Sequence, residues 1–494
     1  MSSKSDPDNR PGQRALILAG VVALSVGIYL LASRWTYGIG FPLDDAWIHQ
    51  TYARNLALHG EWAFIHGQPS AGSTAPLWSA LLAVGFLLRI GPYLWTYFLG
   101  TFLLWALANL SESALRDWVP SYRPQFPWAG AMIALEWHLV WSSVSGMETL
   151  LSAFLVTLVL VMIILKTRRW LGVGALIGLA VWVRPDGITL LGPALLAAVL
   201  VESAWKRRFG AIVKALLGFG GLFALYLLFN LRLAGSPWPN TFYAKQAEYA
   251  DLLHQPFLTR LANEPLQFIT GVGAVLLPGV IWMLVSAVRR RDWGVMATGT
   301  WIAGFLMLYA WRLPATYQYG RYIMPSMPIF FLLGLAGLAN FLQGNGPRWR
   351  WVLATSWKLA TGFALVLFCG RGAFAYASDV AFIESEMVTT ARWVAANVPA
   401  EALVAAHDIG ALGYFGNHDL VDLAGLVSPD VKTFLRDEDR LAEYLDERQV
   451  EYLVTFPDWY PSLTSDLSPV FTTGAPYAPA LGETNMAVYR WQGP

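Results

Sequence analysis

The stretch ALILAGVVALSVGIYLLAS, residues 15–33, contains no charged side chain and follows the polar MSSKSDPDNRPGQR. Its length is close to the ~20 residues an α-helix needs to cross a bilayer. A cleaved signal peptide has a shorter apolar core, typically ~7–15 residues, so this run reads as an uncleaved anchor. Further apolar runs cover residues 92–113, 127–144, 148–166, 170–183, 187–203, 211–231, 267–287, 295–311, 325–343 and 351–369. The whole chain is 56% hydrophobic and 14% charged, against ~25% charge in ordinary soluble domains. Such a chain is a polytopic membrane protein.

Basic residues punctuate alternate gaps: Arg116 and Arg123; Lys166, Arg168 and Arg169; Lys206 to Arg208; Arg289 to Arg291; Arg348 and Arg350. Cytoplasmic loops carry the Lys/Arg excess, which puts these gaps inside together with the N-terminus. The parity holds only if PLWSALLAVGFLLRI, residues 76–90, does not cross, and its length is short for a crossing. It is expected to be re-entrant or interfacial. The count is then about eleven spans, with residues 1–13 a cytoplasmic tail and 14–371 the membrane domain.

On the opposite face lie the loop 34–75, SGMET (145–149), RPDG (184–187), SPWPNTFYAK (236–245) and ATYQYGRY (315–322). Loops held by a rigid scaffold are where sites are usually built. From residue 372 the texture changes. EALVAAHDIGALGYF, HDLVDLAGL, VEYLVTF and NMAVYRW read as strands with turn signals, and DEDRLAEYLDERQ has helical spacing. Residues 372–494 are expected to form a small soluble α/β domain outside the membrane, joined by the linker GRGAFAYASD. No internal repeat or low-complexity tract is visible.

Asp44 and Asp45 stand just past the first span. Carboxylates near the hydrocarbon edge are costly and are functional candidates by default. Low dielectric and a like neighbour raise a carboxylate's pKa, which suits one of the pair to accept a hydroxyl proton. The plainer reading is a solvated acidic loop or a helix cap. His49 and Arg54 follow on an amphipathic segment, and Glu148 either faces the same cavity or is a first-turn acid. Arg184, Lys245 and Arg321 serve either as interfacial anchors that snorkel to lipid or as ligands of a lipid-linked phosphate, the task to which the guanidinium fork is suited. Asp186, Asn240, Tyr243 and Tyr322 stand in the same motifs as further substrate-binding candidates. The single cysteine, Cys369, excludes an intramolecular disulfide and a multi-cysteine metal site. There is no HExxH, EF-hand or Walker sequence. The chain demands no cofactor, and a divalent ion would have only Asp44 or Asp45 to bridge to a phosphate. The formal net charge is +1 and no basic block points to nucleic acid.

DDAWIHQTYARNLALHGEWAFIHGQ…STAPLWSALLA, SGMET, RPDG, PNTFYAK and GRYIMP, in this order, resemble the bacterial GT-C glycosyltransferases, in particular the group of the mycobacterial terminal arabinofuranosyltransferase. HDIGALGYFGNHDLVDLAGLVSPDV resembles that group's periplasmic tail. The resemblance implies an all-α, multi-pass enzyme of the bacterial cytoplasmic membrane with its catalytic loops and tail extracytoplasmic. It implies a polyprenyl-phosphate-linked sugar donor, arabinofuranose among the candidate sugars, and a glycan, lipid or protein acceptor of the cell envelope. It also implies inversion at the anomeric carbon, with Asp44 or Asp45 as catalytic base and Arg184, Lys245 and Arg321 as candidate phosphate ligands. Asp44 is favoured as the first carboxylate after the apolar run and so the more desolvated of the two. The competing class is a transporter or flippase, which would bury charges mid-span and often shows repeat symmetry. A third is a structural envelope protein whose tail binds partners.

Overall fold

The structure, a computed structural model, describes residues 11–342 and 348–491; residues 1–10 of the expected tail lie outside them. Among the described residues seven helices are long and apolar enough to cross a membrane: Pro11–Thr36, Pro92–Trp118, Trp205–Ala234, Val272–Arg290, Trp293–Arg312, the run Tyr317–Phe341 and the run Arg348–Asn397. Shorter apolar helices, among them Thr149–Ile164 and Trp170–Val183, fill the space between them. The run 127–144 is broken in two, Trp128–Leu135 and Trp137–Ser143. Glu136 causes the break by capping the second piece, its carboxylate accepting Leu139 N–H at 3.1 Å. Such a cap satisfies an orphan backbone donor that the interrupted helix would leave buried. Pro76–Leu87 is a 12-residue helix, about 18 Å at 1.5 Å per residue and short of the ~30 Å hydrocarbon core.

The linker expected after residue 371 is helical instead. Arg348–Ile383 continues through a π-turn, Glu384–Val388, into Thr389–Asn397. The π-turn carries two buried acids with separate tasks. Glu384 accepts Tyr93 O–H at 2.8 Å inside the helical body. Glu386 accepts Met486 N–H and Asn485 Nδ2 at 2.9 Å and Thr473 Oγ1 at 2.5 Å, all from residues that flank the last two strands of the C-terminal sheet. A wider turn of this kind re-aims side chains within a helix, and here it fastens the sheet to the membrane body.

A small antiparallel pair, β1 (Ala63–Ile65) and β2 (Gln68–Pro69), lies in the first loop. The C-terminal sheet holds β3 (Val404–Ala406), β4 (Leu420–Asp422), β5 (Tyr452–Thr455), β6 (Pro469–Thr472) and β7 (Ala487–Arg490) in the order β4-β3-β5-β7-β6. β4, β3 and β5 are parallel, and β7 and β6 complete the sheet antiparallel. Alternate residues of a strand face opposite sides. Val404 and Ala406 join the core of the membrane body, while Ala405 joins a second core with Leu441 and Leu445 of the helix Glu438–Glu447. The α/β unit therefore shares its core with the helices beneath it. EALVAAHDIGALGYF, expected to be a strand, is β3 followed by the short helix Gly410–Phe415.

Candidate active site

The first outer loop contains the helix Asp45–His59, with Asp44 at its N-cap. Successive helical residues point about 100° apart, so the two aspartates face different surroundings. Asp44 Oδ2 accepts Gly410 N–H at 2.6 Å and Oδ1 accepts Ala411 N–H at 2.8 Å, both from the C-terminal unit. A Cβ at Gly410 would lie 2.1 Å from the Asp44 carbonyl oxygen, so only glycine allows this approach. Burial, and then the charge of Asp408, push the Asp44 carboxyl up to about 8, against the lowering by its two N–H donors.

Asp45 lines a cavity of about 320 Å³ that Arg184, Glu148, Lys245 and Arg321 also line. Its Oδ2 accepts Arg321 Nη2 at 2.7 Å and Lys245 Nζ at 3.3 Å. Burial would raise its pKa, but the two cations outweigh burial and hold the carboxyl well below the usual range. Arg321 is presented by a left-handed turn, with φ of 49° at Gln318, 61° at Tyr319 and 70° at Gly320. Left-handed backbone at two non-glycine residues is costly and persists only where contacts over-determine it. Tyr319 is so held, its hydroxyl on Asp379 at 3.2 Å and its ring against Trp137 and Trp141. Among the described residues Arg321 Nε and Nη1 are buried without a hydrogen-bond partner.

A second ionic group also lines the cavity. Arg184 Nη2 donates to Asp186 Oδ2 at 3.0 Å, to Tyr309 O–H at 2.8 Å and to the Tyr322 carbonyl at 3.2 Å. Tyr309 in turn donates to Asp186 Oδ2. Arg184 Nη1 lies 3.7 Å from Glu148 Oε1, and His49 Nε2 3.5 Å from Glu148 Oε2. The SGMET loop reaches this position through Gly146 at φ 82°, where a Cβ would lie 2.6 Å from Ala46 Cβ.

The structure thus gathers Asp45, His49, Glu148, Arg184, Asp186, Lys245, Arg321 and Tyr322 around one cavity. Asp44, Arg54, Asn240 and Tyr243 stand outside its lining. Desolvation, the ground for favouring Asp44, comes from the docked C-terminal backbone rather than from a reaction space. Arg54 donates to the carbonyls of Tyr414 and Gly413 at 2.6 and 3.1 Å, tying down the same unit. Asn240 Oδ1 and the Tyr243 ring engage Lys432, at 3.4 and 5.5 Å. These three, substrate-binding candidates by motif, each contact the C-terminal unit. Among the described residues no group of three or more His, Cys, Asp or Glu is placed to hold a metal ion. A divalent ion at Asp44 or Asp45 would meet carboxylates already engaged by backbone N–H groups or by two cations.

Sequence reasoning did not single out Glu248, His407 and Asp408. Glu248 Oε1 lies 3.9 Å from His407 Nε2. Burial pushes the Asp408 carboxyl up to about 6, with His407 opposing and Asp45 adding to the rise. The signal was the polar pair His407-Asp408 closing an apolar strand run in AAHDIG.

Residues 379–489 match the family described as Domain of unknown function (DUF8728). No curated protein matches the chain. Among solved structures, ArnT from Cupriavidus metallidurans in the apo state superposes with a TM-score of 0.59 at 15% identity, covering 97% of this chain and 98% of ArnT. The same protein bound to undecaprenyl phosphate gives 0.56 at 16% identity, over 95% of this chain and 97% of that one. The Archaeoglobus fulgidus oligosaccharyltransferase tethered with an acceptor peptide gives 0.60 at 12%, over 90% of this chain and 69% of that one. Mycobacterial arabinofuranosyltransferase AftD gives 0.51 at 14%, over 96% of this chain but 40% of AftD. At these identities the likeness speaks for the fold alone, and by fold the chain is a multi-pass membrane protein of the GT-C type, the architecture it shares with these structures.

Proposed function

We propose that the chain is an inverting glycosyltransferase that moves a sugar from a polyprenyl-phosphate donor to a hydroxyl of a cell-envelope acceptor, on the outer face of a bacterial cytoplasmic membrane. The observation that carries this reading is the Asp45–Lys245–Arg321 cluster, in which buried Arg321 keeps two nitrogens, Nε and Nη1, without a partner among the described residues, beside a carboxylate in a cavity. Buried donors left unpaired are costly, and a phosphate that accepts from them removes that cost. Leu308, Leu313 and Phe242 on the same cavity offer an apolar path to the isoprenyl chain. ArnT, of the same fold, has been captured with undecaprenyl phosphate, which supports this class of donor.

The chemistry follows from competition for the cations. An arriving donor phosphate takes up Lys245 and Arg321 and releases Asp45 from them, so that the Asp45 carboxylate regains basicity. The acceptor oxygen then attacks the anomeric carbon from the face opposite the phosphate, and the carbon–oxygen bond to phosphate breaks. Asp45 takes the hydroxyl proton, and the two cations compensate the negative charge that the leaving phosphate gains. Arg184 is fixed by Asp186, Tyr309 and Tyr322, and it holds Glu148 at the cavity edge. The sugar is a pentose or hexose, with arabinofuranose one of the candidates.

The test is to incubate the purified protein with a panel of polyprenyl-phosphate sugars, with and without chelator, and to identify released lipid phosphate and glycosylated product. Lipid-linked sugar that crosses proteoliposomes without product would replace this reading by transport.

A further inference from the structure

A second cavity, of about 470 Å³, lies between the C-terminal unit and the helix Asn240–Glu248. It is lined by Glu248, His407, Glu438, Asp458, Trp459 and Tyr460. Its volume is within the ~300–1,000 Å³ of small-molecule sites. One helix contributes to both cavities. Lys245, which contacts Asp45, and Glu248 sit three residues apart on one helix, and side chains so spaced are ~5–6 Å apart on the same face. Asp408, next to His407, lies within electrostatic range of Asp45, Lys245 and Glu248, and its buried Oδ2 has no hydrogen-bond partner among the described residues.

We infer that this cavity is the acceptor subsite of the transferase, and that it takes a neutral saccharide; the inference rests on the glycosyl-transfer reading above. Trp459 is 42% exposed, and its ring is backed by His407 at 5.1 Å and Phe456 at 5.0 Å. It therefore offers a fixed aromatic surface, large and amphipathic, of the kind that interfaces use. The C–H face of a sugar ring fits such a surface. Glu438 and Asp458 on the rim, with Glu248, can each accept charge-assisted bonds from vicinal hydroxyls. Tyr460 is 5% exposed and its hydroxyl is fixed to His407 Nδ1 at 2.7 Å, which keeps the His407 ring oriented. An acidic acceptor is disfavoured by the three carboxylates, because Arg436 is committed to Asp251 at 2.8 Å and to the Glu248 carbonyl. An acyl chain is disfavoured by the same charges.

The experiment uses the full chain in nanodiscs and measures binding of maltotriose, mannotriose, galactotriose and arabinotriose by saturation-transfer NMR. Binding of polyprenyl phosphate is measured in parallel. At least one trisaccharide binds, and Trp459→Ala and Asp458→Asn each weaken it tenfold or more while polyprenyl-phosphate affinity stays within twofold. Asp458→Asn keeps the side-chain volume and covers the case in which Trp459→Ala disturbs folding. Arg321→Ala has the reverse pattern. No trisaccharide bound, or binding unchanged in both rim variants, overturns the acceptor subsite. Absence of polyprenyl-phosphate binding to the unaltered protein overturns the donor reading instead, so the two failures are distinct.

Discussion

Replacing Asp45 with asparagine separates donor binding from turnover, because the same carboxylate opposes one and performs the other. In the resting site its Oδ2 carries Arg321 Nη2 at 2.7 Å and Lys245 Nζ at 3.3 Å, with the Asp45 side chain 25% exposed. Asparagine keeps the volume and removes the charge that a donor phosphate must displace. A partly exposed ion pair is worth about 1 kcal/mol, so the Asp45→Asn variant binds polyprenyl phosphate roughly fivefold more tightly. Loss of a positioned general base lowers turnover about 10²–10⁴-fold, roughly 3–5 kcal/mol of barrier. Binding is read by titrating polyprenyl phosphate into the nanodisc-embedded protein, and turnover by mass spectrometry of released lipid phosphate. Turnover within tenfold of the unaltered protein refutes Asp45 as base. Weaker phosphate binding refutes the competition for Lys245 and Arg321.

Other consequences are independent of that variant. Gly410→Ala places a methyl 2.1 Å from the Asp44 carbonyl and 2.6 Å from its carboxylate; overpacking of this kind costs about 1–3 kcal/mol, and limited proteolysis should release the C-terminal unit faster. Arg184→Ala, which takes the guanidinium from Asp186 and buried Glu148 in a wall where the arginine side chain is 7% exposed, lowers stability by about 3–5 kcal/mol; Lys245→Ala, at a 19% exposed side chain, costs about 1 kcal/mol, and equal thermal shifts for the two would contradict this division of labour. Asp44 is raised to about 8 and Asp408 to about 6, both from burial first. The folded protein therefore keeps protons that the unfolded chain has lost above its ordinary carboxylate range. Their contribution is full below the ordinary carboxyl value of 3.8 and is lost progressively as pH rises from there to about 6 for Asp408 and to about 8 for Asp44. The unfolding temperature should fall across that window and level off above it, and Asp45, held low, does not titrate within it.

Much of the architecture was legible because hydrocarbon enforces it. Long apolar runs are helices, seven of them among the described residues long and apolar enough to cross a membrane against the eleven spans expected, and the five loops grouped by the basic gaps do contribute to one cavity. The broken helix at Glu136 and the helical continuation past residue 371 were not legible. The first depends on a single capping carboxylate, and the second on Glu386 finding Met486 and Asn485 of the sheet. Arg54, Asn240 and Tyr243 sit in the right motifs, yet a motif cannot say which side of a helix meets a cavity and which meets a docked domain.

Asp44 and Asp45 carry the division most clearly. The sequence by itself determined that two adjacent carboxylates stand at the outer end of the first span, among cations on the same face, since hydropathy and charge act locally along the chain. Only the tertiary structure decided what each of them faces. The partners that distinguish Asp45 and Asp44 lie 276 and 366 residues away, and a step of one residue turns a helical side chain by about 100°. That turn aims Asp45 at Lys245 and Arg321 in the cavity, and leaves Asp44 against the backbone of Gly410 and Ala411.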